Sequence, residues 1–324
     1  MEWIASLVPS MMADHAAVFL VVTPLLLSAV AALMPNGKAG WAVTLFAVAV
    51  SSILAIVVAI DVQTGGTVSY ALGGWAPPIG IEFRADALNA AILLLVSGLG
   101  LLSVVYALPS VADEIEPHRQ ALFYSAFLVC FAGLLGVAIT GDAFNMFVFL
   151  EISSISTYVL VGMGAGNDRR ALTAAYNYLI LGTIGATFFV IGVGFLYMAT
   201  GTLNMADIAS RLPELSGSRV VQAAFAFIIV GLGLKAAMFP LHLWLPNAYA
   251  FAPNFVTIFL ASTATKVAFY TLIRFLFDVF YPEAAFVQAA FVWVFAVLGI
   301  VGMIAASIQS IFQNDARRLL AFSS

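Results

Sequence analysis

The sequence predicts an all-α membrane protein, a polytopic bundle of transmembrane helices. Hydrophobic residues make up 63% of its 324 residues and charged residues only 9%, whereas a soluble domain has about 45–50% and about 25%. A soluble fold must cover its exterior with polar groups, so this apolar surplus needs lipid as its solvent. Backbone groups in lipid must bond internally, and the chain lacks the short alternating strands of a barrel, so only helices fit.

The apolar runs predict about nine complete helices and the start of a tenth near Arg317. The measure is a bilayer core about 30 Å thick, which a helix crosses in about 20 residues. The first run is not a signal peptide, because Met1 to His15 holds Glu2 and Asp14 but no Lys or Arg. The nine predicted helices span residues 16–34, 40–61, 87–108, 120–139, 143–164, 171–199, 220–240, 254–277 and 286–311.

The connections between these runs are short and polar, with one exception. The loop at 62–85 contains paired glycines and prolines, which predict an ordered hairpin on the membrane surface. An acidic linker is predicted between Pro109 and Gln120. Paired arginines at 169–170 and 317–318 follow Asp caps, and they fall on the cytoplasmic side if the N-terminus is outside. We therefore predict a multi-pass protein of the plasma membrane with an external N-terminus.

Composition also excludes several classes of site. Basic stripes typical of nucleic-acid binding are absent, so no nucleic-acid partner is expected. The three histidines lie far apart, and the single cysteine, Cys130, sits within an apolar run. Neither a metal site nor a cofactor is therefore predicted, and the lipid bilayer is the first partner.

Three ionisable residues lie well inside predicted helices, namely Glu151, Lys235 and Lys266. A charge at the bilayer centre costs about 2.5–3.5 kcal/mol on insertion scales, so these groups must face the bundle interior. One interpretation is a structural ion pair between Glu151 and Lys235. The other is proton handling, because a desolvated lysine loses its proton more readily and a nearby carboxylate reverses that effect.

Prolines next to Lys235 favour the second interpretation. The ring of Pro240 would clash with the carbonyl of Ala236 and free it within a helix, and Pro246 follows. Helix breaks at membrane depth are tolerated where backbone is buried in protein or lines a hydrated cavity. His242, just past the break, is either a proton relay or a helix-end residue at the interface.

Four motifs carry a family resemblance. They are GDAFNMFVFLE at 141–151, FPLHLWLPNA at 239–248, ASTATKVAFY at 261–270 and NDARRLLAFSS at 314–324. Together they resemble the antiporter-like membrane subunits of respiratory complex I and of Mrp-type sodium/proton antiporters. The glutamate motif is most similar to the Mrp D subunit, and next to subunits of membrane-bound hydrogenases.

The resemblance implies two inverted five-helix repeats, each with a broken central helix, the seventh helix in the first repeat. Helices 1–3 would occupy residues 1–119, the first repeat 120–278, and the start of a truncated second repeat 279–324. It also implies that Glu151 and Lys235 form the family's glutamate–lysine pair and that Lys266 passes protons onward. Since the sequence stops at Ser324, most of the second repeat is missing, and a fragment is favoured over a split gene.

The function predicted on this basis is proton or cation translocation by one subunit of a multisubunit Mrp-type antiporter. Its partners would be other membrane subunits, and its substrates protons, with sodium left open. The alternative is a proton-pumping subunit of an NADH–quinone oxidoreductase or a hydrogenase. The chain has no iron–sulfur, flavin or quinone motif, so it has no catalytic chemistry of its own, and a redox centre would lie in a partner. A structural scaffold is the third hypothesis.

Overall fold

The computed structural model describes residues 15–215, 217–280 and 284–324, and helices dominate them. The prediction that the N-terminal segment before His15 is not a signal peptide lies outside the described residues. The helices are α1 (Ala16–Ala32), α2 (Gly37–Gly65), α3 (Ala87–Glu114), α4 (Gln120–Ile139), α5 (Ala143–Gly162), α6 (Arg170–Thr200), α7 (Met205–Arg211), α8 (Arg219–Lys235), α9 (Leu245–Phe251), α10 (Asn254–Ile273), α11 (Ala285–Ala290), α12 (Val297–Ile311) and α13 (Ala316–Ser323).

Seven helical segments within the described residues are long and apolar enough to cross a membrane. They are α2 to α6, α10 with a π-helical extension at Arg274–Val279, and the continuous stretch Ala285–Ile311. Helix α1 is apolar but has only 17 residues. The prediction of a mostly helical, membrane-type protein is confirmed.

The loop at 62–85 contains two strands, β1 (Val68–Ala71) and β2 (Glu82–Ala85). They pair antiparallel, with Val68 opposite Ala85, and so form the predicted hairpin. Glu82 fixes this hairpin to the bundle, because its carboxylate accepts hydrogen bonds from Ser69 and from Asn204 Nδ2, the latter at 2.7 Å. Its backbone oxygen accepts from Gly141 N at 2.8 Å. One buried residue thus joins three connections at the end of the bundle, hereafter the hairpin end.

Helix α3 runs further than the sequence indicates. Pro109 lies inside it, and the helix continues to Glu114, so the acidic linker predicted from Pro109 is largely helical. The last turn is held in place because the Glu114 carboxylate accepts hydrogen bonds from Ser110 Oγ and from the backbone N of Asn254, each at 2.9 Å. This contact caps the start of α10 and ties it to α3.

Helices α6 and α8 pack closely because glycines face each other across their interface. A Cβ added at Gly231 would lie 2.6 Å from the backbone oxygen of Gly185 and 2.7 Å from the backbone N of Phe189. Small residues of this kind let membrane helices approach closely. The interface positions Lys235, which follows one turn later on α8.

Replacing Gly231 by Ala should therefore force α6 and α8 apart. Overpacking of this kind costs about 1–3 kcal/mol, and we expect a lower midpoint of thermal unfolding in detergent. The matched control is Gly194→Ala on α6, where an added Cβ meets no described atom within 4 Å. Equal midpoints for the two variants would contradict this view of the interface.

Candidate functional site

Glu151 lies near the middle of α5, a helix that begins where the Asp142 side chain accepts a hydrogen bond from Asn145 N at 2.7 Å. The adjacent α4 packs along α5 so tightly that a Cβ at Gly133 would meet the backbone of Ser153. Glu151 therefore lies on a helix that is capped at its start by Asp142 and held along its side by α4. Its side chain is 22% exposed.

Lys235 is the last residue of α8 and meets Glu151 directly. Its Nζ lies 3.1 Å from Glu151 Oε1 and donates a second hydrogen bond, of 2.6 Å, to Ser154 Oγ. The lysine side chain is only 6% exposed. An ammonium group removed from water needs such partners, because an unpaired buried charge is strongly unfavourable. The structure therefore brings the predicted glutamate and lysine into one buried ion pair.

The chain leaves helical geometry immediately after Lys235. Residues 236–244 form turns, Ala237 has a left-handed φ of 55°, and helical structure resumes only in α9. The prediction of a helix continuing to 240, with Pro240 freeing a carbonyl inside it, is wrong, because the helix has already ended. Pro240 lies within the turns, and Pro246 lies in the first turn of α9, where a missing N–H is tolerated.

The end of α8 is completed by a side chain from beyond the break. Trp244 Nε1 donates to the backbone oxygen of Leu234 at 3.0 Å, and Met238 N donates to that of Gly233 at 2.8 Å. The Trp244 indole stacks on Tyr178 of α6, with centroids 4.1 Å apart and planes 10° from parallel. The Gly233 and Leu234 carbonyls in the last turn of α8 are thus satisfied inside the protein, as membrane depth requires.

Lys266 lies on α10, apart from the ion pair. Its Nζ donates to Ala261 O at 2.5 Å and contacts Thr265 Oγ1 at 3.4 Å. It faces a cavity of about 960 Å³, hereafter the central cavity, which residues of the break and of α12 also line. Within the described residues no hydrogen bond joins Lys266 to Lys235. Lys266 is exposed in the described structure, unlike Lys235, so the expectation that it is enclosed by the bundle does not hold for these residues.

His242 lies in the turns after Lys235 and also lines the central cavity. Its Nε2 is 3.5 Å from Gln309 Oε1 of α12, and its ring stacks on Phe239 with centroids 5.5 Å apart. Its buried Nδ1 has no hydrogen-bond partner among the described residues. Rather than extending from a helix end, the ring is half-buried against the cavity that holds Lys266.

Two contributors to the site carry only weak signals in the sequence. Ser154 follows Glu151 by three residues, a spacing that puts both on one helix face. The neighbouring hydroxyls of Ser153, Ser156 and Thr157 instead donate to carbonyls of their own helix. Trp244 shows no local signal, because its partner Leu234 is ten residues away across a break. Only the folded chain distinguishes these roles.

A second polar cluster lies at the hairpin end, around Arg274 of the π-helical extension. The guanidinium forms salt bridges of 2.5 Å with Asp86 and with Asp278. Burial raises the pKa of the Asp86 carboxyl, but hydrogen bonds from Arg274 and from backbone amides outweigh it and hold that pKa below its ordinary value. The sequence contains no local signal for this cluster, because Arg274 and Asp86 lie 188 residues apart.

The described part of the chain shows no group of three or more His, Cys, Asp or Glu side chains arranged to hold a metal ion. The site itself presents ionisable side chains. A buried carboxylate–ammonium pair beside a helix break can hold and release protons, and a cavity next to it can hold water.

Comparison with known proteins gives a consistent result. Residues 140–324 match the family described as NADH:quinone oxidoreductase/Mrp antiporter, TM. The chain is 42% identical over 316 residues to the N subunit of NADH-quinone oxidoreductase from Desulforudis audaxviator (strain MP104C), covering 97% of this chain and 62% of that protein. It is 33% identical over 269 residues to the D subunit of the Na(+)/H(+) antiporter from Bacillus subtilis (strain 168), covering 81% and 54%.

A solved structure supports the same relationship. A chain of the Mrp complex from Dietzia sp. DQ12-45-1b superposes with a TM-score of 0.82 at 26% identity, covering 96% of this chain and 56% of that one. The fold is therefore antiporter-like. The chain spans less than two thirds of the length of each of these relatives.

Replacing Trp244 by Phe tests how the break is held. The variant keeps an aromatic ring against Tyr178 and loses the hydrogen bond to Leu234, whose oxygen still accepts from Ala237 N at 3.2 Å, so the expected cost is about 0.5–1.5 kcal/mol. A lower unfolding midpoint in detergent is the expected result. Trp293→Phe is the control, since Trp293 is largely exposed on the π-helical segment Phe291–Ala296. No difference between the two would show that the bond does not hold the break.

Proposed function

Because the chain belongs to the NADH:quinone oxidoreductase/Mrp antiporter family of membrane proteins, we propose that it translocates protons or cations as part of a multisubunit Mrp-type sodium/proton antiporter. The resemblance identified from its four motifs is confirmed by that membership. The observation that carries the proposal is the buried contact of 3.1 Å between Lys235 Nζ and Glu151 Oε1 at the end of a broken helix.

The proposal includes an architecture of nine complete crossings and the start of a tenth, with α8 and α9 as the halves of a broken seventh helix. Helix α8 ends at Lys235 and α9 resumes at Leu245, which supports the break. The second inverted repeat would be mostly missing from this chain, in keeping with the share of each relative that it spans.

In the proposed relay, the Glu151–Lys235 pair is the loading step. While the pair is closed, the carboxylate stabilises the protonated lysine across 3.1 Å. When the pair opens, the desolvated ammonium loses that stabilisation and its proton can pass to water. Moving one charge through 100 mV costs about 2.3 kcal/mol, which a change of about two pKa units would cover.

Lys266 is the proposed acceptor of that proton, and the central cavity the route. Because no direct bond joins the two lysines in the described structure, water in the cavity must complete the step. His242 lines the same cavity and has one buried nitrogen without a described partner, which supports a role as an intermediate carrier. Residues 236–239 of the turns and Pro246 of α9 line the same cavity.

The proposed setting follows from the relatives. Their names and the Mrp complex structure support other membrane subunits as partners. The plasma membrane is the proposed location. Protons are the proposed substrate, with sodium as the coupled ion. An external N-terminus places both arginine pairs on the cytoplasmic side, as the distribution of Lys and Arg favours.

Single replacements in the intact complex test the relay. Glu151→Gln, Lys235→Met and Lys266→Met should each lower proton flux in vesicles by about tenfold or more, a change that needs only about 1.4 kcal/mol. Lys38→Met is the matched control, since Lys38 is exposed beside the turn between α1 and α2. Flux is measured at equal amounts of assembled complex.

Normal flux in all three variants would leave the scaffold hypothesis standing. Failure of Glu151→Gln and Lys235→Met to assemble, with normal flux in Lys266→Met, would make the pair structural and end the relay proposal.

The second candidate function is that of a proton-pumping subunit in a redox complex. It is favoured by the 42% identity to the N subunit of an NADH-quinone oxidoreductase. The two candidate functions differ in the driving force for proton movement, which an experiment can distinguish. An antiporter should exchange sodium for protons under an imposed sodium gradient with no electron donor present. Proton movement that requires an electron donor would favour the redox complex.

A further inference from the structure

Two separate cavities lie next to each other near the hairpin end of the bundle. One is the central cavity, which contains Lys266. The other, of about 430 Å³, is polar and lies at the hairpin end, with Arg84, Asp86, Asn89, Arg274 and Asp278 among its lining residues; we term it the outer cavity. If the two were connected, a proton on Lys266 would have a direct route to the hairpin side of the membrane.

The wall between the cavities consists of three side chains. Tyr270 lines the central cavity, while Asn89 and Arg274 line the outer one. Asn89 Nδ2 donates to Tyr270 Oη at 2.7 Å, and Arg274 Nε donates to the same oxygen at 3.2 Å. Tyr270 and Asn89 are buried, and the Arg274 side chain is 11% exposed. The wall is therefore a continuous hydrogen-bonded layer.

This wall lies in line with Lys266. Residues 266, 270, 274 and 278 follow one another at intervals of four, which puts them on one face of α10 and its extension. A proton leaving Lys266 toward the hairpin end would thus meet Tyr270 first and Arg274 next.

The hydroxyl of Tyr270 is already saturated. A phenol has one proton to donate and two lone pairs to accept with. Here it donates to Ala138 O at 3.1 Å and accepts from Asn89 and from Arg274. No free position remains on this oxygen to receive a proton from one side and release it on the other, so the layer is not a relay.

We propose that Arg274, fixed by Asp86 and Asp278, is a seal that separates the central cavity from the outer cavity. The two carboxylates offset the charge of its guanidinium, so the seal acts by filling the contact between the cavities and by leaving Tyr270 Oη no free position. The two salt bridges of 2.5 Å and a hydrogen bond to Asn89 Oδ1 keep the group in place. The inference rests on the proposed function, because a seal beside Lys266 matters only if that lysine carries protons.

The seal is tested first by thiol accessibility, which needs no proton transport. The intact complex carries Cys130→Ala, to remove the buried native thiol, and Thr265→Cys, on the central cavity. A membrane-impermeant, uncharged methanethiosulfonate reagent carrying a sugar group is added on the hairpin side of sealed proteoliposomes, because Arg274→Gln leaves Asp86 and Asp278 uncompensated and would attract a cationic reagent. Adding Arg274→Gln should raise the labelling rate by about tenfold or more, which corresponds to about 1.4 kcal/mol of lost barrier.

The matched control is Arg211→Gln. Arg211 lies on α7, which borders the outer cavity, and pairs with Asp207 at 2.8 Å, but it is not among the residues lining either cavity. Its labelling rate should equal that of the parent. Unchanged labelling in Arg274→Gln with assembled complex would overturn the seal. If Arg274→Gln does not assemble, Asp86→Asn, which frees one side of the guanidinium, is judged by the same criterion.

Passive proton leak under an imposed membrane potential provides the second measurement. Arg274→Gln should leak more than the parent, and adding Lys266→Met should abolish the excess. Faster labelling together with an excess leak that survives Lys266→Met would keep the seal and reject the lysine relay. Faster labelling with no excess leak would overturn Arg274 as a barrier to protons.

Discussion

The need to neutralise a buried ammonium governs this structure. Lys235 is almost inaccessible, and its charge is stable there only because Glu151 and Ser154 converge on it from α5. The glycine contact between α6 and α8 lets α8 pack closely enough to support that convergence. The last turn of α8 is stabilised because its Gly233 and Leu234 carbonyls find donors within the protein. The helix contacts that build the fold are therefore the same ones that position the ion pair.

Much of the helical layout follows from the sequence, since lipid imposes both the length and the hydropathy of each crossing. The buried charges are equally visible, because an ionisable residue in an apolar run is unfavourable unless it has a partner. The hairpin could be predicted from its paired glycines and prolines. These features are local, so a single pass along the chain finds them.

Other features depend on contacts between distant segments. The helix through Pro109 escapes prediction because a carboxylate at Glu114, bound to α10, holds its last turn. The early end of α8 cannot be predicted from the sequence, because a proline marks only the latest point at which a helix stops. Arg274 has the sequence signature of a surface charge, since its partner Asp86 lies 188 residues away. Such pairs become visible only once the chain is folded.

The indole of Trp244 makes two attachments at once, one to the backbone of α8 and one to the ring of Tyr178 on α6. Tyr178 in turn meets Tyr158 of α5 edge to face, with centroids 4.8 Å apart. Lys235 is therefore coupled mechanically to α5 by two routes, the ion pair and this aromatic chain. If α8 moves to open the ion pair, the indole bound to its Leu234 carbonyl must shift against Tyr178 as well, because the same ring makes both contacts.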